Sequence, residues 1–251
     1  MPEAILRTES VGVTFGALAA LKDVSLSIAG GERRGIIGPN GAGKTTLFNA
    51  IAGSLLPTHG RIWFNGVDIT RVPPNRRAVA GISRTFQITN LFAKLTVREN
   101  ILLSVRGRTA RKFSVLASGD ASAEEGMIVD KALAESNLTA RAQIRVDELS
   151  YGEQRQLELA IALASAPAML LLDEPAAGLS PAERVTIGSV IRALPHDLTI
   201  ILIEHDMDLA LSLVDHVTCL HFGQVLCEGN PNEISADPRV QEVYLGKPRH
   251  A

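Results

Sequence analysis

The nine residues Gly38-Pro39-Asn40-Gly41-Ala42-Gly43-Lys44-Thr45-Thr46 constrain this chain more than any other stretch. They follow the pattern glycine, four residues, Gly-Lys-Ser/Thr, between an apolar run at Gly35-Ile36-Ile37 and a helical pattern from Thr45 to Ala52. Glycines let the backbone curl so that successive N–H groups and the helix N-terminus face phosphate oxygens. Lys44 offsets charge at the β/γ oxygens, and the Thr45 hydroxyl is placed for Mg2+. A Gly-rich turn of no function is the competing reading, and the strand–loop–helix context weighs against it.

The rest of the chain has to supply the sheet that such a loop terminates. Short apolar runs at Ala168–Leu172 and Leu198–Ile203 alternate with helical text and end in polar residues, the pattern of buried parallel strands with ligands at their ends. Val11–Phe15, Val24–Ile28 and Arg61–Phe64 alternate instead, with Gly30-Gly31 and Asn65-Gly66 as turns, which predicts a small antiparallel sheet near the N-terminus. From about Ile88 to Val146 the text is helical, with a capped start at Thr96-Val97-Arg98-Glu99 and a second helix over Val129–Asn137.

Four further places carry chemistry. Asp173-Glu174 ends a buried run, so Asp173 is placed for a metal shell and Glu174 to polarise a water. Ser150-Tyr151-Gly152-Glu153-Gln154 opens a helix over Arg155–Ala164, where Ser150 and Glu153 read either as an ordinary capping box or as a phosphate-binding helix start. Local sequence leaves both open. His205 after Leu202-Ile203-Glu204 can reach a γ-phosphate, Gln87 can reach Mg2+ or water, and Phe15 can stack on adenine. Each taken singly reads as a structural or surface residue.

Their order resembles the ATP-binding subunit of an ABC transporter over essentially the whole chain. That resemblance implies an α/β fold with a P-loop NTPase, RecA-like core over 1–87 and 150–230. An N-terminal antiparallel β subdomain, a helical insertion over 88–149 and a tail over 231–251 complete it. It also implies adenine stacking by Phe15, γ-phosphate sensing by Gln87, catalysis by Glu174 and His205, and a Ser150–Gln154 signature facing the ATP of a partner subunit. ATP and Mg2+ are the implied cofactors. The implied partners are two membrane-spanning permease subunits docked around Gln87 and 88–103, a sister ATPase, and indirectly an extracytoplasmic solute-binding protein. Phe15-Gly16-Ala17-Leu18, Arg84-Thr85-Phe86-Gln87, Asp173–Pro181 and the tail with Glu228-Gly229-Asn230-Pro231 and Tyr244-Leu245-Gly246 are similar to branched-chain amino acid importers, more to the first of their two ATPases. Three residues depart from the usual pattern: Tyr151 stands for glycine, Glu153 for glutamine and Ser180 for aspartate.

Composition narrows the alternatives. With 25 Lys+Arg against 27 Asp+Glu the net charge is −2, without the excess a nucleic-acid or anionic-membrane coat needs. The cluster Arg106, Arg108, Arg111 and Lys112 reads as a solvated face, with lipid headgroups as the other reading. Cys219 and Cys227 are too few and wrongly spaced for a disulfide framework or a metal site and read as core residues in a reducing compartment. The run Ala160–Leu172 is shorter than the ~20 residues of a spanning helix, and Met1-Pro2-Glu3-Ala4 lacks a signal-peptide start. The expectation is a protein on the cytoplasmic face of the inner membrane, held there by its permease. The rival readings are a non-transport ABC ATPase acting on DNA or ribosomes, and an exporter ATPase.

Overall fold

In a computed structural model, which describes residues 4–85, 91–107 and 122–245, the chain forms two sheets and a helical unit. The elements in order are β1 Ala4–Phe15, β2 Leu18–Ala29, β3 Arg33–Ile37, α1 Lys44–Ala52, β4 His59–Phe64, β5 Val67–Asp68, α2 Pro74–Val79 and β6 Ile82–Arg84. The helical unit holds α3 Val97–Gly107, α4 Ala123–Glu135 and short 3-10 turns at Thr139–Arg141 and Val146–Glu148. There follow α5 Tyr151–Leu163, β7 Met169–Asp173, α6 Pro181–Arg192, β8 Thr199–Ile203, α7 Met207–Leu213, β9 His216–His221, β10 Gln224–Gly229, α8 Pro231–Ala236 and α9 Pro238–Leu245.

The antiparallel sheet has the order β2-β1-β4-β5, and the larger sheet the order β10-β9-β3-β8-β7-β6. Strands β9, β3, β8, β7 and β6 run parallel, and β10 closes one edge antiparallel to β9. Its central strands are buried on both faces, so side chains alternate between two cores. Met169, Leu171, Ile201 and Ile203 meet α1 and the antiparallel sheet, while Leu170, Leu172, Ile200 and Leu202 meet α6 and α7. A third apolar cluster joins Val97, Ile101, Val129 and Leu133 to Leu157 and Ala160 of α5, so the helical unit shares its core with the helix that returns the chain to the sheet.

Differences from the sequence reading have local causes. β1 is one long strand because a bulge at Ser10, with φ 45°, interrupts its alternation without ending it. α4 begins at Ala123, well before Val129, because Ser122 and Glu125 form a complete capping box; Asn137, at φ 58°, lies just beyond its end. The short edge strand β6 and the pair β9–β10 carry too little periodicity to be read.

Arg77 of α2 ties the end of α1 to the segment between β5 and α2. It is 1% exposed, and its guanidinium donates to the carbonyls of Ala50 and Ile51 at the end of α1 (2.7 and 2.6 Å), Ile69 and Thr70 after β5 (2.5 and 3.1 Å), and Val72 (2.8 Å). Burial pushes it down to about 10.

Candidate functional site

The phosphate loop is anchored on three sides before any ligand arrives. The Gly223 N–H donates to the Ala42 carbonyl (3.0 Å) and the Lys22 N–H to the Gly223 carbonyl (2.7 Å), lacing the loop to β2 and to the β9–β10 turn. Two glycines are obligatory here. Gly38, at φ 145°, would drive a Cβ within 2.2 Å of the Leu220 carbonyl, and Gly43, at φ 103° before α1, within 2.7 Å of the Ala20 carbonyl. Lys44, itself buried, donates from Nζ to the carbonyls of Gly38 (2.6 Å) and Pro39 (3.0 Å). Burial pushes its ammonium down, opposed by the charge of Glu174.

A cleft of about 430 Å³ opens over this loop, lined by Asn40–Thr46 together with Phe15, Leu18, Glu174, His205 and Phe222. The two phenylalanines stand 51% and 70% exposed at its mouth, flat apolar faces fit for a ring. Glu174 lies just past β7 in the left-handed region, at φ 50°, a strained conformation for a side-chain-bearing residue. Its N–H donates to the Ile203 carbonyl (2.9 Å), and its Oε1 lies 2.8 Å from His205 Nε2. A carboxylate and an imidazole in contact beside a phosphate loop are a pair suited to orienting and deprotonating a water.

Glu204 keeps that pair together. It is buried, and its carboxylate accepts the Ala176 N–H (2.8 Å) after Glu174 and the N–H of His205 (3.0 Å). Burial pushes the carboxyl up, opposed by the hydrogen bonds it accepts. Glu204→Gln turns an amide donor toward one of those two N–H groups, and thermal unfolding of the nucleotide-free chain is expected to show a loss of about 1–2 kcal/mol.

Asp173 is placed differently. It is 3% exposed, and its Oδ2 accepts from Arg84 Nη2 at 2.7 Å, while Arg84 also reaches Asn49 of α1 (2.7 Å) and lies over the Phe48 ring. The other oxygen, Oδ1, is buried without a protein partner. Its donor chemistry fits Mg2+, which takes one or two carboxylates and completes its shell with phosphate oxygens and water, but Asp173 lines a small separate pocket with Thr85, Arg155 and Glu158 and not the cleft over the phosphate loop. Among the described residues no cluster of three His, Cys, Asp or Glu side chains forms a self-sufficient metal cage. Gln87, with Phe86 and the start of the 88–103 docking stretch, lies outside the described residues, as do Arg108, Arg111, Lys112 and Gly246. Arg106 is ion-paired to Glu125. Cys219 is buried and faces the half-buried Cys227 across β9–β10.

Ser150–Gln154 does not join the nucleotide cleft of its own chain. Its Ser150, Gly152 and Glu153 line a second cleft of about 520 Å³ with Arg141 and Glu183. The capping box is present, Ser150 Oγ accepting the Glu153 N–H and Glu153 accepting the Ser150 N–H (2.9 Å), while Gln154 donates to the Leu149 carbonyl. The Gly152 N–H donates to Glu183 Oε1 (3.0 Å), so a carboxylate already sits on this helix start. The Ser180 hydroxyl holds that carboxyl below its usual range. The three departures each have partners: Glu153 pairs with Arg141 (2.7 Å), Ser180 caps α6, and Tyr151 bonds Arg155 (2.6 Å) and packs on Gly178. Glu204, Phe222 and Glu183 are given no site role by sequence, and Arg84 enters there only as part of the stretch Arg84–Gln87; Glu204 adjoins His205, the only local signal for it.

A parallel sheet ending in a phosphate loop, with a facing acid–histidine pair and a helical insertion, defines a P-loop ATPase of the cassette type. Residues 21–177 match the family described as ABC transporter, and residues 224–250 match the branched-chain amino acid ATP-binding cassette transporter family. The chain belongs to the ABC transporter family, and its activity is ATP hydrolysis. It is 37% identical to the high-affinity branched-chain amino acid transport ATP-binding protein BraF of Pseudomonas aeruginosa and 35% identical to the corresponding LivG of Escherichia coli, covering 98% of this chain and 100% of each. A solved ABC transporter ATP-binding cassette in its ADP conformation superposes with a TM-score of 0.83 at 34% identity, covering 97% of this chain and 99% of that one. A dimeric cassette in a post-hydrolysis state with ADP and Pi gives 0.72 at 26% identity, covering 90% and 98%.

Proposed function

We propose that this chain is the ATP-hydrolysing motor of an importer for branched-chain amino acids or similar small solutes, working on the cytoplasmic face of the membrane. The observation that carries the proposal is full-length similarity to branched-chain amino acid transport ATP-binding proteins that extends into the tail at 224–250. Among the described residues no helix is long and apolar enough to cross a membrane, which fits a motor docked on two separate permease subunits. The docking surface is the stretch from Gln87 to Leu103, and a solute-binding protein outside the membrane delivers the substrate.

In this reading the adenine stacks at Phe15 and the phosphates lie along the loop Gly38–Thr46, held by N–H groups between Gly41 and Thr46. Nucleotide entry draws Lys44 Nζ from the Gly38 and Pro39 carbonyls onto the β/γ oxygens. Glu174 and His205 hold the attacking water in line, and loop amides and Lys44 offset the charge that develops. Mg2+, when bound, supplies further charge neutralisation, with Thr45, Asp173 and Gln87 as its protein-side positions.

Ser150–Gln154 faces away from its own cleft, which supports a site completed by the signature of a second ATPase, a sister chain in the working transporter. Glu183 then leaves the Gly152 N–H when the partner's γ-phosphate arrives. Turnover of the purified chain is therefore expected to rise more than in proportion to its concentration, because each site needs two chains. Phosphate release measured from nanomolar to micromolar protein checks this, and strict proportionality throughout contradicts shared sites.

A further inference from the structure

The segment after β10 folds back onto the core and reaches the phosphate loop. Asn230 and Glu233 cap α8, Asp237 pairs with Arg239 (2.7 Å), and Val240 of α9 is buried against the main core. These contacts bring the Tyr244 side chain into that core and its hydroxyl to the loop, where it accepts the Gly38 N–H at 2.6 Å. β3 ends at Ile37, so this N–H lies beyond the strand, and the acceptor comes from a residue 206 positions away. The carbonyl of the same residue holds Lys44 Nζ. Gly38 is thus pinned at both its N–H and its carbonyl, and the Leu220 carbonyl closes off the side where a Cβ would stand.

We propose that Tyr244 is a positioning residue of the nucleotide site, its hydroxyl fixing the entrance of the phosphate loop so that the loop amides stand pre-arranged for phosphate. This rests on Gly38–Thr46 being the nucleotide loop, and it gives the C-terminal segment a task in nucleotide binding. A loop already fixed loses less conformational freedom on binding, and one neutral hydrogen bond corresponds to about a threefold to tenfold change in affinity. Burial pushes the phenol up to about 12, so it is a neutral hydroxyl throughout the working pH range.

Tyr244→Phe removes the oxygen and keeps the ring in its packing. ADP binding by calorimetry is expected to weaken about threefold to tenfold, and the KM for ATP to rise by the same factor, with kcat within about twofold. A residue that served stability alone would lower Tm and leave KM unchanged. ADP affinity within about twofold of the unmodified chain, or a fall in kcat at constant KM, overturns the proposal. Should the variant fold poorly, amide exchange in the unmodified chain decides. Protection of the Gly38 N–H supports the bond, and exchange at the rate of an open loop overturns it. Absence of ADP binding in the unmodified chain would overturn the nucleotide-loop reading itself, a result distinct from normal binding in both forms, which removes only the role of Tyr244.

Discussion

Replacing Glu174 by glutamine is expected to lower ATP turnover by about 10²–10³-fold while leaving nucleotide binding intact. The carboxylate sits at the end of β7, in contact with His205 and outside the bonding of the phosphate loop, whose anchors are Gly223, Lys22 and Lys44. Glutamine keeps the shape and the oxygen facing the imidazole but cannot accept a proton from water. The loop, the cleft and the stacking faces at Phe15 and Phe222 are untouched, so ATP binds and is not consumed, and the ATP-bound pair of chains accumulates. Single-turnover phosphate release together with equilibrium ATP binding separates the two effects. Normal turnover in this variant would remove Glu174 from the chemistry.

The largest stability effect is expected at Arg77, far from the cleft. Its guanidinium serves five carbonyls belonging to three segments, with almost no access to water. Arg77→Met fills much of the volume but strips every one of those acceptors of a donor in a place water does not reach, and a loss of about 3–5 kcal/mol follows. For a chain of this size that is a fall in Tm of about 10 °C. Arg77→Lys is expected to rescue little, because one ammonium cannot reach in the directions that the planar fork covers. Calorimetric unfolding checks both, and a methionine variant within about 1 kcal/mol of the parent contradicts the account of how α1 is tied to the segment between β5 and α2.

The phosphate loop was legible because its chemistry is written in consecutive residues: glycines where the backbone needs positive φ, then Lys44 and Thr45 on the first turn of α1. Glu174 and His205 were legible only through their order along the chain, since nothing local distinguishes them from a polar strand end. What escaped was the set of contacts made between distant positions. Glu204 reaches Ala176 across 28 residues, Arg84 reaches Asp173 across 89, and Tyr244 reaches Gly38 across 206. Those pairings depend on the strand order β10-β9-β3-β8-β7-β6, which brings β8 and β6 beside β7, and on the C-terminal helices packing back onto the core. No periodicity encodes that order. The Ser150 helix start illustrates the converse: its capping box was readable, yet only the fold places it in a different cleft from the phosphate loop, with Glu183 on its N–H.

Uptake of a branched-chain amino acid into vesicles tests whether this chain drives import. The chain is reconstituted with its permease subunits and sister ATPase, with the solute-binding protein and radiolabelled leucine on the outer side and ATP on the side of the ATPases. ATP-dependent leucine accumulation is expected with the unmodified chain, and its loss with Glu174→Gln. Equal accumulation with both forms, or ATP hydrolysis by the unmodified complex with no accumulation of leucine or its branched relatives, would contradict that role.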